Sequence, residues 1–238
     1  MWFEGSLSVK AVMLAGHRQV LRLVIDKKKK DRDTAFILRQ AQQRNIPVER
    51  LDREKIDEIA TGKTHGGILA EAMEREYQTP QDCLKSEKPF VAVLEGIEDP
   101  FNLGYAFRTL YAAGCTGVIM GERNWEHCMN TIVKSSAGAS EYLPWCLSSD
   151  LGEAVALCKE AGCTLYCAMR DNAIEYFDAD FDQPLILAIG GELRGLSKDV
   201  LSQSDQNIVI PYAREVRSAL NGTSAVAAIS FEVVRQRR

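Results

Sequence analysis

Hydrophobic residues along the chain follow two spacings, one typical of strands and one typical of helices. "VLRLVID" (residues 20–26) and "FVAVLE" (90–95) are strand-like, and "TAFILRQAQQRN" (34–45) has apolar residues at helical spacing. Further strands are predicted at 46–52, 67–72, 117–120, 164–169, 185–189 and 207–212, and further helices at 53–60, 103–114, 151–162 and 224–238. Because strands and helices alternate, the pattern predicts an α/β fold with a parallel sheet.

The periodic pattern is interrupted once, in "EYQTPQDCLKSEKP", which contains two prolines. We therefore predict a small N-terminal α/β domain over residues 1–78, a linker over 79–88 and a larger domain over 89–238. The first domain is at the small end of the usual size range.

Composition limits the class of protein. The sequence has no apolar run of membrane-spanning length and no start typical of a secretory signal, which predicts a soluble, cytoplasmic protein. The seven cysteines are an odd number and form no CxxC pair. Cys158, Cys163 and Cys167 lie nearest to each other, but a strand-like pattern surrounds them, so we expect buried thiols and no metal site.

Charge is distributed unevenly along the chain. The net charge is −4, but residues 1–88 carry three more basic than acidic side chains, and residues 89–238 carry seven more acidic than basic ones. If the protein binds an anionic partner, the N-terminal part is the better candidate to hold it.

Candidate functional residues lie in three segments, each of which follows a predicted strand. The first, "EDPFNLGYAFRTL", contains Asn102, which could cap a helix, and Arg108, whose guanidinium could hold a phosphate or sugar oxygen. The second, "GGELRGLSKD", places Glu192 between glycines near a predicted helix start, where an acid is favoured in any case. Ligands in open α/β sheets bind beyond the carboxyl ends of the strands, so these segments can share one crevice.

The third segment, "IPYAREVRSALNGTSAVAAIS", contains Asn221 before an apolar helix. Thr223 or Ser224 is the default cap of that helix. No GxGxxG sequence occurs anywhere in the chain, which disfavours a Rossmann-type nicotinamide or flavin enzyme.

Together, the order and spacing of the three segments resemble the motifs of the SpoU (TrmH-like) family of RNA 2′-O-ribose methyltransferases, within the SPOUT class. "NLGYAFRTLYAAG" resembles its first motif, "LAIGGELRGLS" its second, and "IPYAREVRSALNGTSAVAAISFE" its third. "SSAGASEYLP" matches a further family segment. "IPVERLDREKIDEIATGKTHGGILAEA" resembles the family's substrate-binding domain, so the resemblance covers nearly the whole chain.

The third motif departs from the family pattern. Tyr212 stands where the family usually has methionine, and the segment between Ile210 and Leu220 is one residue longer than the common form. The usual Ser-Leu-Asn reads Ala-Leu-Asn, and Ser218, Thr223 and Ser224 are alternative replacements for the missing hydroxyl.

The resemblance implies transfer of a methyl group from S-adenosyl-L-methionine to a ribose 2′-hydroxyl of RNA, with ribosomal RNA favoured over transfer RNA. It implies a SPOUT-type parallel sheet with a C-terminal trefoil knot, and a homodimer. The residues that it implies are catalytic are Asn102, Arg108, Glu192 and Asn221, and those that it implies bind the cofactor are Gly190, Gly191, Gly195, Ile210 and Leu220. The alternative is a catalytically inactive RNA- or ribosome-binding module of the same fold.

Overall fold

The computed structural model describes residues 1–192, 194–215 and 218–238, in which strands and helices alternate. The strands are β1 Trp2–Glu4, β2 Val20–Asp26, β3 Val48–Leu51, β4 Ile68–Ala72, β5 Phe90–Glu95, β6 Gly117–Gly121, β7 Trp145–Ser148, β8 Thr164–Ala168, β9 Ile174–Glu175, β10 Leu185–Gly190 and β11 Gln206–Val209. The α-helices are α1 Ser6–Ala15, α2 Arg32–Gln43, α3 Arg53–Ile59, α4 Pro80–Cys83, α5 Pro100–Ala112, α6 Met129–Ser135, α7 Ala139–Tyr142, α8 Leu151–Glu160, α9 Lys198–Leu201 and α10 Gly222–Gln236. None of the helices in these ranges has both the length and the apolar composition of a membrane-spanning segment.

The chain forms two compact units. The first contains residues Met1–Glu76 together with Trp125–Tyr142, and the second contains Tyr77–Asn124 together with Leu143–Arg238. The division into domains 1–78 and 89–238 stays a prediction. The compact units differ from it in two respects: residues 125–142 pack with the N-terminal part, and the second unit begins at Tyr77 and so includes the predicted linker. The predicted linker contains the short helix α4, which buries Cys83.

The first unit contains a four-stranded mixed sheet of order β1-β4-β2-β3. Strands β2 and β3 are parallel, and β4 is antiparallel to both β1 and β2. In its core, Ile56 of α3 packs with Val24 of β2 and Leu69 of β4, and all three side chains are fully buried. The apolar positions that predicted these elements are therefore the positions that form the core.

A buried ion-pair network joins the segment 125–142 to the rest of the first unit. The carboxylate of Glu141 accepts hydrogen bonds from Nε of Arg18 at 2.8 Å and from Nη2 of Arg18 at 3.2 Å. Nη1 of Arg75 lies 3.6 Å from the same carboxylate, and all three side chains are 0–1% exposed. A charge this deeply buried depends on its partners, so the network fixes α7 against the N-terminal residues.

The second unit is built on a seven-stranded sheet of order β7-β6-β5-β10-β8-β11-β9, in which every pair is parallel. This confirms the predicted α/β class with a parallel sheet. The central strands β5 and β10 are buried along nearly their whole length, as their apolar runs predicted. They are paired in register from Phe90–Leu185 to Glu95–Gly190, so both strands end at the same level. The knot stays a prediction.

The predicted buried thiols lie in the core of this second unit. Cys158, Cys163 and Cys167 belong to one hydrophobic cluster that also contains Cys83 and Cys146. Burial raises the pKa of the Cys158 thiol to about 12 and that of Cys146 to about 11. These thiols therefore remain protonated in the folded protein at pH values where an exposed thiol ionises.

The free energy of unfolding is expected to fall as pH rises above about 8.5, the ordinary thiol pKa. Above that pH the unfolded thiols lose protons, whereas the folded thiols, whose pKa is raised, keep theirs. At pH 9.5 each such thiol lowers the free energy of unfolding by about 1.4 kcal/mol. Urea titrations at pH 7.5 and 9.5 measure the effect. The Cys158→Ala variant should lose a correspondingly smaller amount of stability between the two pH values, and an identical loss would contradict the argument.

Candidate functional site

The loop after β10 lies directly against the end of β5. The backbone N–H of Gly191 donates to the carbonyl oxygen of Glu95 at 2.6 Å, and the backbone N–H of Ser197 donates to the Glu95 carboxylate at 2.9 Å. Inside the loop, the N–H of Gly195 donates to the carbonyl of Gly191 at 3.0 Å. Both ends of the loop are therefore fixed to one residue at the carboxyl end of the central strand.

Glycine is required in this loop because backbone segments approach each other closely. A Cβ atom at Gly191 would overlap the carbonyl of Gly96, and one at Gly190 would overlap the backbone of Gly195 and Leu196. Gly195 also has a positive φ of 64°, in the region that favours glycine. The glycines around Glu192 thus allow the second segment to fold tightly against β5 and leave the acid exposed at the tip of the loop.

The structure corrects the explanation of Glu192 as an acid at a helix start. Helix α9 begins at Lys198 with Ser197 at its N-cap position, and Glu192 lies in the preceding turn. The glycine turn makes the loop between β10 and α9 longer than the sequence analysis assumed. The dipole of α9 therefore gives no reason for an acid at this position.

The helix of the first segment, α5, begins about one turn earlier than the sequence predicted. Asp99 is the N-cap of α5, and its side chain accepts a hydrogen bond from the backbone N–H of Asn102 at 2.8 Å. The prediction that Asn102 caps this helix is therefore wrong. The cause is Pro100, which is favoured at the first position of a helix. Asn102 lies in the first turn, half-buried.

The helix of the third segment, α10, is capped by Asn221. Asn221 is the N-cap of α10, and its side-chain oxygen accepts from the backbone N–H of Ser224 at 2.8 Å. The prediction that Thr223 or Ser224 caps the helix is therefore wrong. Instead, the hydroxyl of Thr223 donates to the carbonyl oxygen of Asn102 at 3.2 Å. That bond joins the first and third segments directly.

A cavity of about 610 Å³ lies at the carboxyl ends of β8, β10 and β11. Its wall contains all five residues predicted to bind the cofactor: Gly190, Gly191, Gly195, Ile210 and Leu220. Glu192 also lines it. Charged residues that the sequence interpretation missed line it too: Arg170, Asp171, Arg214 and Glu215. The volume lies in the range of small-molecule sites.

A second cavity of about 210 Å³ adjoins the first and shares Gly191, Glu192 and Gly222 with it. Asn102 and Thr223 also line the second cavity. The structure thus brings together Asn102 and Glu192, which are 90 positions apart in the sequence. Of the hydroxyls of Ser218, Thr223 and Ser224, only that of Thr223 belongs to a residue lining this cavity, among the residues described.

Arg108 and Asn221 line neither of these two cavities in the described part of the chain. Asn221 caps α10, and the first residue of that helix, Gly222, lines both cavities. Arg108 lies on α5, exposed, and makes no ion pair or hydrogen bond with any described residue. Its guanidinium is therefore available to a partner outside this chain.

The second cavity has an acidic wall. Glu98 and Asp99 line it together with Glu192, and Nη1 of Arg123 lies 4.0 Å from the Glu98 carboxylate. Such a wall attracts cations and repels phosphate. Within the described ranges, no group of three or more His, Cys, Asp or Glu residues is arranged to hold a metal ion.

These observations define the class: an α/β protein whose parallel sheet carries a cavity at the carboxyl ends of its strands. The sequence model of the SpoU rRNA Methylase family matches residues 89–231, and the model described as RNA 2′-O ribose methyltransferase substrate binding matches residues 3–78. The chain therefore belongs to the SpoU rRNA Methylase family, which confirms the resemblance drawn from the three motifs.

Two relatives illustrate the similarity in sequence. A protein of Staphylococcus haemolyticus, assigned to the TrmH family of tRNA/rRNA methyltransferases, is 32% identical over 98% of this chain and 94% of its own length. A Bacillus subtilis protein with the same assignment is 31% identical over 84% of this chain and 82% of its own length. The similarity thus extends across both units of the structure.

Solved structures show the same fold. The SpoU methyltransferase AviRb from Streptomyces viridochromogenes in complex with the cofactor AdoMet aligns with a TM-score of 0.82 at 24% identity, over 100% of this chain and 90% of that chain. The AdoMet-bound rRNA methyltransferase from Sinorhizobium meliloti aligns with a TM-score of 0.82 at 21% identity, over 98% and 86% of the two chains.

Proposed function

We propose that the protein transfers a methyl group from S-adenosyl-L-methionine to a ribose 2′-hydroxyl of RNA, with ribosomal RNA as the favoured substrate. The observation that carries this proposal is the convergence of three segments on two adjoining cavities: the residues expected to bind the cofactor line one, and Asn102 and Glu192 line the other. The family match and the AdoMet-bound structures with the same fold support it.

The larger cavity fits the cofactor in size and in chemistry. Its volume of about 610 Å³ accommodates a nucleoside with an amino-acid tail. Backbone groups around Gly190, Ile210 and Leu220 would hold the adenosine, and the missing Cβ atoms at Gly190 and Gly191 let the loop fold closely enough to form the wall. The carboxylate of Glu192, which lines both cavities, suits the positive charge of the sulfonium.

The cofactor, when bound, supplies a methyl group on a sulfonium, which is a strong electrophile. The protein must hold the ribose hydroxyl in line with that methyl group at near-attack distance and help it to lose its proton. The smaller cavity adjoins the cofactor cavity at Glu192, so it is the place for the ribose. Asn102 would orient the ribose there, and the bond from Thr223 to the carbonyl of Asn102 fixes their relative position.

Arg108 would stabilise charge and orient the RNA. A guanidinium stays protonated at every physiological pH, so Arg108 is not the base. Near the acidic wall formed by Glu98, Asp99 and Glu192, an approaching RNA phosphate needs a neutralising cation. Arg108 provides one with a fork of donors that matches phosphate oxygens.

The proposal includes a homodimer that completes the site. Arg108 lines neither cavity of its own chain, and Phe101, Tyr105 and Tyr111 of the same helix are about half exposed. Phe101, Tyr105 and Arg108 follow the spacing of one helical face. Helix α10, which packs against α5, exposes Phe231 in the same way. A second copy covering these aromatic rings would bring Arg108 to a site formed by two chains.

The Tyr105→Asp variant is expected to be monomeric, because a carboxylate in an apolar interface would be buried without a partner. Light scattering coupled to size-exclusion chromatography measures the mass. Phe177→Asp is the matched control, since Phe177 is 45% exposed but lies outside α5 and α10. A dimeric Tyr105→Asp variant, or a monomeric wild type, would contradict the assignment of this face.

The remaining parts of the proposal concern the chain as a whole. The N-terminal part, with its excess of basic residues, would bind the RNA, and a trefoil knot would form in the C-terminal part. A cytoplasmic location is proposed because all seven cysteines are free thiols, the state that a reducing compartment maintains.

The second candidate function is an RNA- or ribosome-binding module without turnover. The departures in the third motif favour it, above all Ala219 in place of the family's serine. Calorimetric titration with S-adenosyl-L-methionine, and then with NAD as the ligand of a Rossmann-type enzyme, tests the cofactor assignment. Binding of S-adenosyl-L-methionine alone supports the proposal, and binding of NAD alone would defeat it.

A further inference from the structure

Tyr212 makes a contact at the larger cavity that the family motif does not predict. Its hydroxyl oxygen accepts a hydrogen bond from the backbone N–H of Leu220 at 2.8 Å. Both residues line the cavity, and both are partly exposed, at 37% and 43%. Leu220 immediately precedes Asn221, the cap of α10. The bond therefore ties the residue after β11 and Pro211 to the start of the C-terminal helix.

The same ring also contacts the segment after β8. The guanidinium of Arg170 lies over the ring of Tyr212, 5.8 Å from its centroid, and Arg170 lines the cavity as well. Such cation–π contacts add a modest attraction at exposed sites. One side chain thus connects three elements of the cavity wall: the segments that follow β8 and β11, and the residue that leads into α10.

We infer that Tyr212 is a positioning residue of the cofactor site, whose hydroxyl holds the wall around Leu220 in the conformation that binds S-adenosyl-L-methionine. The inference rests on the proposed function. Without the bond, Tyr212 and Leu220 are no longer held together, and the ligand must order both of them when it binds. Methionine, the residue usual at this position in the family, has only a weak acceptor sulfur and cannot make an equivalent bond.

The test compares Tyr212→Phe with the wild type by isothermal titration calorimetry with S-adenosyl-L-methionine. The phenyl ring keeps the contact with Arg170 and removes only the hydroxyl. We expect the Kd to rise three- to tenfold, the effect of one neutral hydrogen bond. At saturating cofactor, kcat should stay within twofold of the wild type, and the melting temperature should be unchanged. Tyr176→Phe is the matched control, because Tyr176 is a tyrosine of the same unit outside the cavity lining.

Each outcome decides a different point. An unchanged or lower Kd for Tyr212→Phe, with normal binding by the wild type, would overturn the role of Tyr212 alone. A loss of kcat at saturation with an unchanged Kd would also overturn it, because a residue that orders the cofactor wall acts on binding. Failure of the wild type itself to bind S-adenosyl-L-methionine would overturn the proposed function instead.

Discussion

Replacing Arg108 by alanine is expected to lower the rate of methyl transfer by about a hundredfold or more. Preorganised charged donors contribute effects of this size to charge-developing reactions. Arg108 is exposed and bonds to no described residue of its own chain, so its removal should leave the fold intact. Because Arg108 lines neither cavity, binding of S-adenosyl-L-methionine should stay within about threefold of the wild type.

Two matched variants separate charge from geometry. Arg108→Lys keeps the charge but loses the planar fork of donors, so it should recover only part of the rate. Lys85→Ala removes a positive charge from a residue that is 76% exposed and lines neither cavity, and it should behave like the wild type. Single-turnover assays with labelled cofactor measure the rates. Turnover of Arg108→Ala near the wild-type rate would show that Arg108 has no part in the reaction.

Replacing Glu141 by alanine is expected to lower the free energy of unfolding by about 3–5 kcal/mol, the usual cost of breaking a buried ion pair on one side. The substitution leaves the guanidinium groups of Arg18 and Arg75 buried without the carboxylate that lies 2.8 and 3.6 Å from them. Backbone carbonyls of Met73 and Ser140 remain as acceptors, but they do not neutralise the charge. Urea titration followed by circular dichroism measures the change.

Two controls accompany this measurement. Glu141→Gln keeps a hydrogen-bond acceptor and the size of the side chain but removes its charge. Its free energy of unfolding should therefore lie between those of the wild type and Glu141→Ala. Glu160→Ala removes an exposed carboxylate at the end of α8 and should change stability by less than about 0.5 kcal/mol. A loss below about 1 kcal/mol in Glu141→Ala would mean that the network does not hold residues 125–142 in the N-terminal unit.

The position of Glu141 illustrates what local patterns cannot predict. It lies in "SSAGASEYLP", a segment that the sequence places between the first and second motifs. Nothing in its spacing indicates that it packs with Arg18, which is 123 positions earlier. Contacts of this kind depend on tertiary packing, which a hydrophobic period does not encode.

Where apolar runs are long and continuous, the sequence predicted the structure well. Strand β5 has the bounds that its apolar run indicated, because burial on both faces leaves a continuous signal. Strand β2 also has the predicted bounds, although it is fully buried only in its second half. The N-terminal strand β1 and helix α1 were not predicted. Strand β1 has only three residues, which is too short for a strand-like period to appear. The predicted helix starts were the least reliable, because the N-caps of α5 and α10 are Asp99 and Asn221 and not the residues predicted.

The candidate site could be predicted only in part. The resemblance to the family motifs indicated five cofactor-binding residues, and all five line the larger cavity. Arg170, Asp171, Arg214 and Glu215 were missed, since charged loop residues look the same whether they face a cavity or bulk solvent. The hydrogen bond between Tyr212 and Leu220 could not be predicted from the sequence either, although Tyr212 was noted as a departure from the family's methionine.

The most direct test is to incubate the protein with total RNA and methyl-labelled S-adenosyl-L-methionine. One part of the RNA is digested to nucleosides to identify the labelled product, and the modified ribose is mapped in the other, undigested part. We expect a 2′-O-methylated nucleoside that maps to one position in ribosomal RNA, and about a hundredfold slower formation of that product, or slower still, with Arg108→Ala. Label on a base only, or unlabelled RNA from a protein that binds the cofactor, would contradict the account.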